Sequence, residues 1–183
     1  MYRPGGAMEW RFTSPSAGFI IGLGRARMSE RDTAGKLRLA IGSDHAGYPL
    51  KEELANTLRE DGYDVEDLGT YSLESCDYPD IAQAVAVEVA AGRFDRGILI
   101  CGTGIGVTIT ANKVKGIRAA AVSDTYSARM ARAHNNANVL GMGARVVGPG
   151  LAHEIATAFL GTEFEGGRHE RRVNKINALD ECR

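Results

Sequence analysis

Cys101 stands where an apolar run ends and a glycine loop begins: residues 96–106 read RGILICGTGIG. Ile98-Leu99-Ile100-Cys101 reads as a buried strand, and Gly102, Gly104 and Gly106 alternate after it. Such a loop lets the backbone turn sharply and approach a ligand without Cβ interference. A helix beginning near Gly104 points its free N–H groups back into the loop, where they attract an anion and favour thiolate over thiol. A thiolate beside N–H donors is a base next to an oxyanion hole. The spacing is neither G-x-G-x-x-G nor that of a nucleotide-phosphate loop, so the nucleotide signature is weak. The alternative is a tight strand–helix turn around an inert buried cysteine.

Three further groups could join this chemistry. Asp44-His45 follows another apolar run; the alternative is helix capping by Ser43 or Asp44. His134 opens HNNAN at the end of a helical segment, where the helix dipole favours the protonated ring. The alternative there is a helix stop with asparagines in turn conformations. Arg168 and Arg172, in GGRHERR, are four residues apart and share a helix face. Two guanidiniums on one face suit a phosphate, against the alternative of a solvated basic face. A base, N–H donors, an acid/base histidine and a phosphate clamp together describe proton abstraction next to a carbonyl on a phosphorylated small molecule. With no metal-ligand spacing and no nucleotide loop, neither a metal nor a cofactor is expected.

These residues need elements to position them. Strands are expected at 37–42, 63–68, 97–101, 117–122 and 138–142. Helices are expected at 48–61, 80–91, 104–113, 125–134, 150–160 and 168–179. Leu50, Leu54 and Leu58 mark one face of the first helix, and Ile81, Ala84, Val85, Glu88 and Val89 mostly the inner face of the second. Ser123 or Asp124 is the expected cap of the fourth. This alternation predicts an α/β fold: a Rossmann-like, doubly wound, five-stranded parallel sheet in three α/β/α layers. Ligands of such folds bind beyond the carboxyl ends of the strands.

Composition sets the outer limits. The 183 residues carry a net charge of -1, so no overall basic footprint points to nucleic acid. No apolar stretch approaches the roughly 20 residues of a membrane span. The three cysteines, Cys76, Cys101 and Cys182, are odd in number and form no C-x-x-C pair. That suits a reducing, cytoplasmic setting better than a disulfide framework. Residues 1–36 sustain no amphipathic period and are expected to be a disordered N-terminal extension to a domain at 37–183. A true start at Met28, or a targeting segment, are the alternatives.

The stretches IGSDHAGYPLK, DYPD, ILICGTGIGVTITANKVKGIRAA, SDTYSARMARAHNNANVLGMGARVVG and FEGGRHERRV resemble ribose-5-phosphate isomerase B and the related galactose-6-phosphate isomerase subunits. The likeness runs from about residue 37 to 180. It implies an aldose–ketose isomerase working through a cis-enediolate. Cys101 is then the base, Thr103 assists proton movement on the sugar oxygens, and the loop of Gly102, Gly104, Ile105 and Gly106 holds the enediolate. His134 opens the furanose ring, and Asp44 lies near the ring hydroxyls. His45, Arg168, Arg172 and Arg145 match phosphate-side positions, while Tyr78 and Asn135 line the sugar. The resemblance further implies homodimers, sometimes tetramers, in which His134, Asn135 and Arg145 serve the partner's cysteine. The same mechanism on galactose 6-phosphate or allose 6-phosphate is the near alternative, and a non-catalytic phosphate-binding module the distant one.

Overall fold

The structure, a computed structural model, describes residues 36–182; the expectations for residues 1–35 lie outside the described residues. The element order is β1 (Arg38–Ser43), α1 (Tyr48–Glu60), β2 (Asp64–Asp67), α2 (Tyr78–Ala90), β3 (Arg96–Cys101), α3 (Ile105–Ala111), β4 (Ala119–Ala121), α4 (Thr125–Asn135), β5 (Val139–Gly143), α5 (Pro149–Leu160) and α6 (Arg168–Ala178). A 3₁₀ turn, Leu179–Cys182, follows. Every expected element is present. The edge strands β2 and β4 are shorter than their expected ranges, and α3 loses residues at both ends. α2 begins earlier, at Tyr78, with Pro79 in its first turn, where a missing N–H costs nothing. Asp124 caps α4 by accepting from the Ser127 N–H at 2.7 Å.

All pairings are parallel, in the order β2-β1-β3-β5-β4. β3 is the centre, and its apolar run has a covered face on both sides. Leu39, Ile41, Ile98, Ile100, Leu140 and Met142 pack with α1, α4 and α5 in one core layer. Ala40, Leu99, Cys101 and Val139 face the other way, onto α2 and α3. The strand period of two thus assigns the Cys101 thiol to the α2/α3 side of the sheet.

The inward stripe of α2 differs from the expected one. Ala82, Val85, Ala86 and Val89 are buried, at the i, i+3, i+4, i+7 spacing of one helix face, whereas Ala84 is exposed and Glu88 pairs with Arg93. Small residues on this stripe bring α2 close to the sheet: a Cβ on Gly97 of β3 would lie 3.0 Å from a Val85 methyl. On the opposite layer Phe159 of α5 is completely buried. Phe159→Ala is expected to lower stability by about 3–5 kcal/mol, the usual cost of emptying a buried aromatic site. Urea unfolding followed by circular dichroism measures it.

Candidate functional site

The loop after β3 is built as the glycines require. Gly104 has φ of 79°, in the left-handed region, and a Cβ there would lie 2.8 Å from the Met142 carbonyl carbon. Gly143, at the end of β5, passes so close to Thr103 that a Cβ would meet its backbone at 2.7 Å. The tight turn aims the Gly104 N–H at the Cys101 Sγ, 3.1 Å away. Cys101 is 5% exposed, beneath a half-buried Gly102 and an exposed Thr103. The Ile105 N–H turns to the Thr103 Oγ1 at 3.4 Å. Two of the loop amides expected to face a ligand are therefore directed at the loop's own sulfur and hydroxyl.

Residues from neighbouring strand ends close around this loop. Asp44 is buried after β1. Its Oδ1 accepts from the Gly47 N–H at 2.9 Å, so it holds the β1–α1 turn, while the α1 cap residue is Gly47. His45 accepts the Cys76 N–H on Nδ1 at 3.3 Å, which leaves the neutral ring carrying its proton on Nε2. The Tyr78 ring lies against Gly106, where a Cβ would come within 2.7 Å of it. The Arg145 N–H donates to the Gly102 carbonyl at 3.1 Å, and its side chain passes over Gly102. Arg145, expected to reach a partner's cysteine, thus sits beside the cysteine loop of its own chain.

His134, Asn135, Arg168 and Arg172 assemble elsewhere. His134 lies near the carboxyl end of α4, just before β5 begins at Val139. Val139 pairs with Gly97, at the start of β3, whereas Cys101 pairs with Gly143, at the end of β5. His134 is therefore near the amino edge of the sheet and Cys101 at its carboxyl edge, separated by a six-residue strand of about 17–20 Å. The exposed Asn135 ends α4, and its carbonyl accepts from the Arg118 Nε at 3.2 Å. Asn136 adopts the left-handed helix stop, with φ of 47°. The helix-stop reading of HNNAN is correct for Asn136.

Around His134 the structure adds two residues that sequence reasoning did not single out. His169 of α6 stacks on it, with ring centroids 4.1 Å apart and planes 2° from parallel. Glu165 holds a carboxylate oxygen 3.8 Å from the His134 Nε2 and 3.4 Å from the His169 Nε2. The available signal was His169 four residues before Val173, the two buried positions of α6. Burial, and then the neighbouring His134 and Arg168, push the His169 pKa below its ordinary 6.5. Among the described residues, His134, Glu165 and His169 are the group that could offer three ligand atoms to a metal, within 4.8 Å of one another. The Arg168 Nε donates to the His169 Nε2 at 3.2 Å, occupying that lone pair and adding positive charge. This opposes a cation bound through that nitrogen. Arg168 and Arg172 are exposed, on the face of α6 beside it.

Residues 39–176 match the family model described as Ribose/Galactose Isomerase. The chain belongs to this family. It is 51% identical over 146 residues to ribose-5-phosphate isomerase B of Escherichia coli, covering 80% of this chain and 98% of that protein. It is 50% identical over 144 residues to the D-erythrulose-4-phosphate isomerase of Pectobacterium atrosepticum, covering 76% of this chain and 93% of that one. The solved ribose-5-phosphate isomerase B of Clostridium thermocellum superposes with a TM-score of 0.79 at 53% identity, over 80% of this chain and 99% of that one. By this membership the chain is a sugar-phosphate aldose–ketose isomerase.

The lowered His169 pKa has a consequence for stability. The folded state holds fewer protons at this ring than the unfolded one, so the stabilisation is complete above 6.5 and declines as pH falls below it. Melting temperature is expected to drop in that window, and the drop is expected to be shallower in His169→Gln, as a pH series of thermal melts would show.

Proposed function

We propose that the chain interconverts ribose 5-phosphate and ribulose 5-phosphate through a cis-enediolate, with Cys101 as the base. The observation that carries this reading is the Cys101 sulfur at the tip of the central strand with the Gly104 N–H directed at it. His134 passes the proton that opens the furanose ring to the free aldehyde. The Cys101 thiolate takes the proton from C2, and the electron pair forms the C1–C2 double bond as the carbonyl oxygen becomes an enediolate. Thr103 assists the transfer of the 2-hydroxyl proton to O1, and the cysteine returns its proton to C1. The carbonyl moves from C1 to C2 with no net oxidation, so the scheme calls for no redox cofactor.

The Gly104 and Ile105 amides are already committed, so the enediolate oxygen falls to the remaining amides of the 102–106 loop. In this scheme Asp44 and Tyr78 are assigned to the sugar hydroxyls, and His45 and Arg145 to the phosphate. The cytoplasm is the setting we assign, in keeping with Cys76 and Cys101 being free thiols.

A single chain cannot bring His134, Asn135, Arg168 and Arg172 to its own Cys101, because they lie near opposite sheet edges. We infer a homodimer, able to pair into a tetramer, in which each site takes these four residues from the partner. The relatives' names span four- and five-carbon phosphates, and six-carbon ones remain the mechanistic neighbour. Steady-state kinetics on D-erythrulose 4-phosphate, ribose 5-phosphate, galactose 6-phosphate and allose 6-phosphate are expected to give the highest kcat/KM for ribose 5-phosphate. A higher value for another sugar reassigns the substrate.

Cys101→Ala is expected to lower kcat by about 10²–10⁴-fold, the range for loss of a general base, while calorimetry still detects sugar-phosphate binding. Retention of more than about a tenth of wild-type kcat excludes Cys101 as the base.

Arg172→Ala is expected to raise KM about 10- to 100-fold with little change in kcat, as for a lost charged hydrogen bond made equally in ground and transition states. Mixing the Cys101→Ala and Arg172→Ala chains under conditions of subunit exchange is expected to restore activity at low substrate. No recovery, with exchange confirmed, places the clamp in the same chain as the base.

A further inference from the structure

Lys51 is completely buried on the apolar face of α1, between Leu50 and Leu54. A lysine removed from water is heavily penalised unless its charge and its three donors are all matched. Here they are. The Nζ donates to the Asp67 carboxylate, to the Gly69 carbonyl at 2.7 Å and to the Thr70 carbonyl at 2.9 Å. A Glu52 oxygen lies 3.1 Å away. The rings of Tyr48 and Tyr71 stand 5.1 and 5.0 Å from the ammonium, within cation–π range. The Tyr71 hydroxyl donates to the Asp67 carbonyl at 2.8 Å.

Every one of these loop partners belongs to the end of β2 or to the start of the loop leading to α2. That loop is tied to β1 as well: the Leu68 N–H donates to the Ile41 carbonyl at 2.8 Å and the Thr70 N–H to the Ser43 carbonyl at 3.1 Å. Its far end reaches the candidate site twice. The Cys76 N–H donates to the His45 Nδ1, and Tyr78 packs on Gly106. Lysine is the side chain that offers three donors from one atom, so it can gather three acceptors of a turning backbone at a point. A leucine here would leave the Asp67 carboxylate and the Gly69 and Thr70 carbonyls without their common donor.

We propose that Lys51 is a positioning residue for the phosphate side of the site. By gathering Asp67, Gly69 and Thr70 it sets the path of residues 68–77. That path keeps the Cys76 N–H on the His45 Nδ1 and leaves the Nε2–H as the donor facing the ligand. The role of His45 rests on the isomerase reading; the clamp itself does not.

The test is Lys51→Met in the full chain, followed by long-range ¹⁵N–¹H correlation of the His45 ring and by kinetics on ribose 5-phosphate. In the wild type the ring is expected in the single Nε2–H tautomer. In the variant a mixture of tautomers is expected, with KM raised about tenfold and kcat within about twofold, the scale of one weakened charged hydrogen bond. If Lys51→Met does not fold, Asp67→Asn takes its place. It keeps the ammonium on its two carbonyls, loosens the strand end, and is expected to shift the same signals by less. A folded variant of either kind with the wild-type His45 spectrum and KM overturns the proposal and leaves Lys51 a support for the fold alone. If the wild type turns over no sugar phosphate, the isomerase reading fails, while the His45 tautomer still decides the clamp.

Discussion

A parallel sheet has two chemically different edges, and the arrangement of this molecule follows from that polarity. Whatever follows a strand lies at the carboxyl edge, and whatever follows the returning helix lies at the amino edge. Asp44 and His45 follow β1, Cys101 ends β3 and leads into the loop to Gly106, and Arg145 follows β5, so they converge. His134 and Asn135 end α4, and Arg168 and Arg172 come after α5, so they collect at the other edge with Glu165 and His169. No rearrangement of loops carries His134 across the length of β3. The division into a cysteine edge and a histidine–arginine edge is the physical ground for inferring a site shared between two chains.

Within the cysteine edge, close backbone approach does the positioning. The Gly104 left-handed turn is wedged against Met142 and Gly143, so β5 serves as the wall on which the cysteine loop rests. The Thr108 hydroxyl adds a donor to the Gly104 carbonyl at 2.7 Å, fixing the first turn of α3 from inside. Because β3 is buried on both faces, the sulfur at its tip is carried by one of the most constrained segments of the chain.

The histidine–arginine edge is arranged differently. Two imidazoles stack face to face, a carboxylate lies near both, and a guanidinium donates to one ring. Stacking of this kind favours at least one neutral ring, in keeping with the lowered His169 pKa.

How much of this could be read beforehand depends on the range of the forces involved. The order of strands and helices, the Asp124 cap, the asparagine helix stop and the glycine loop after Cys101 were legible in the sequence, because apolar period, turn chemistry and capping act over a few residues. The true inner stripe of α2, the insertion of β5 between β3 and the edge strand β4, the stacking of His169 on His134 and the burial of Lys51 were not. Each depends on which surfaces meet, and that choice is made by complementary packing between segments far apart in the chain. The sequence by itself determined the chemistry available at each strand end. Only the tertiary structure decided which of those groups share an edge, because strand pairing is settled by the burial of whole faces and not by any local run of residues.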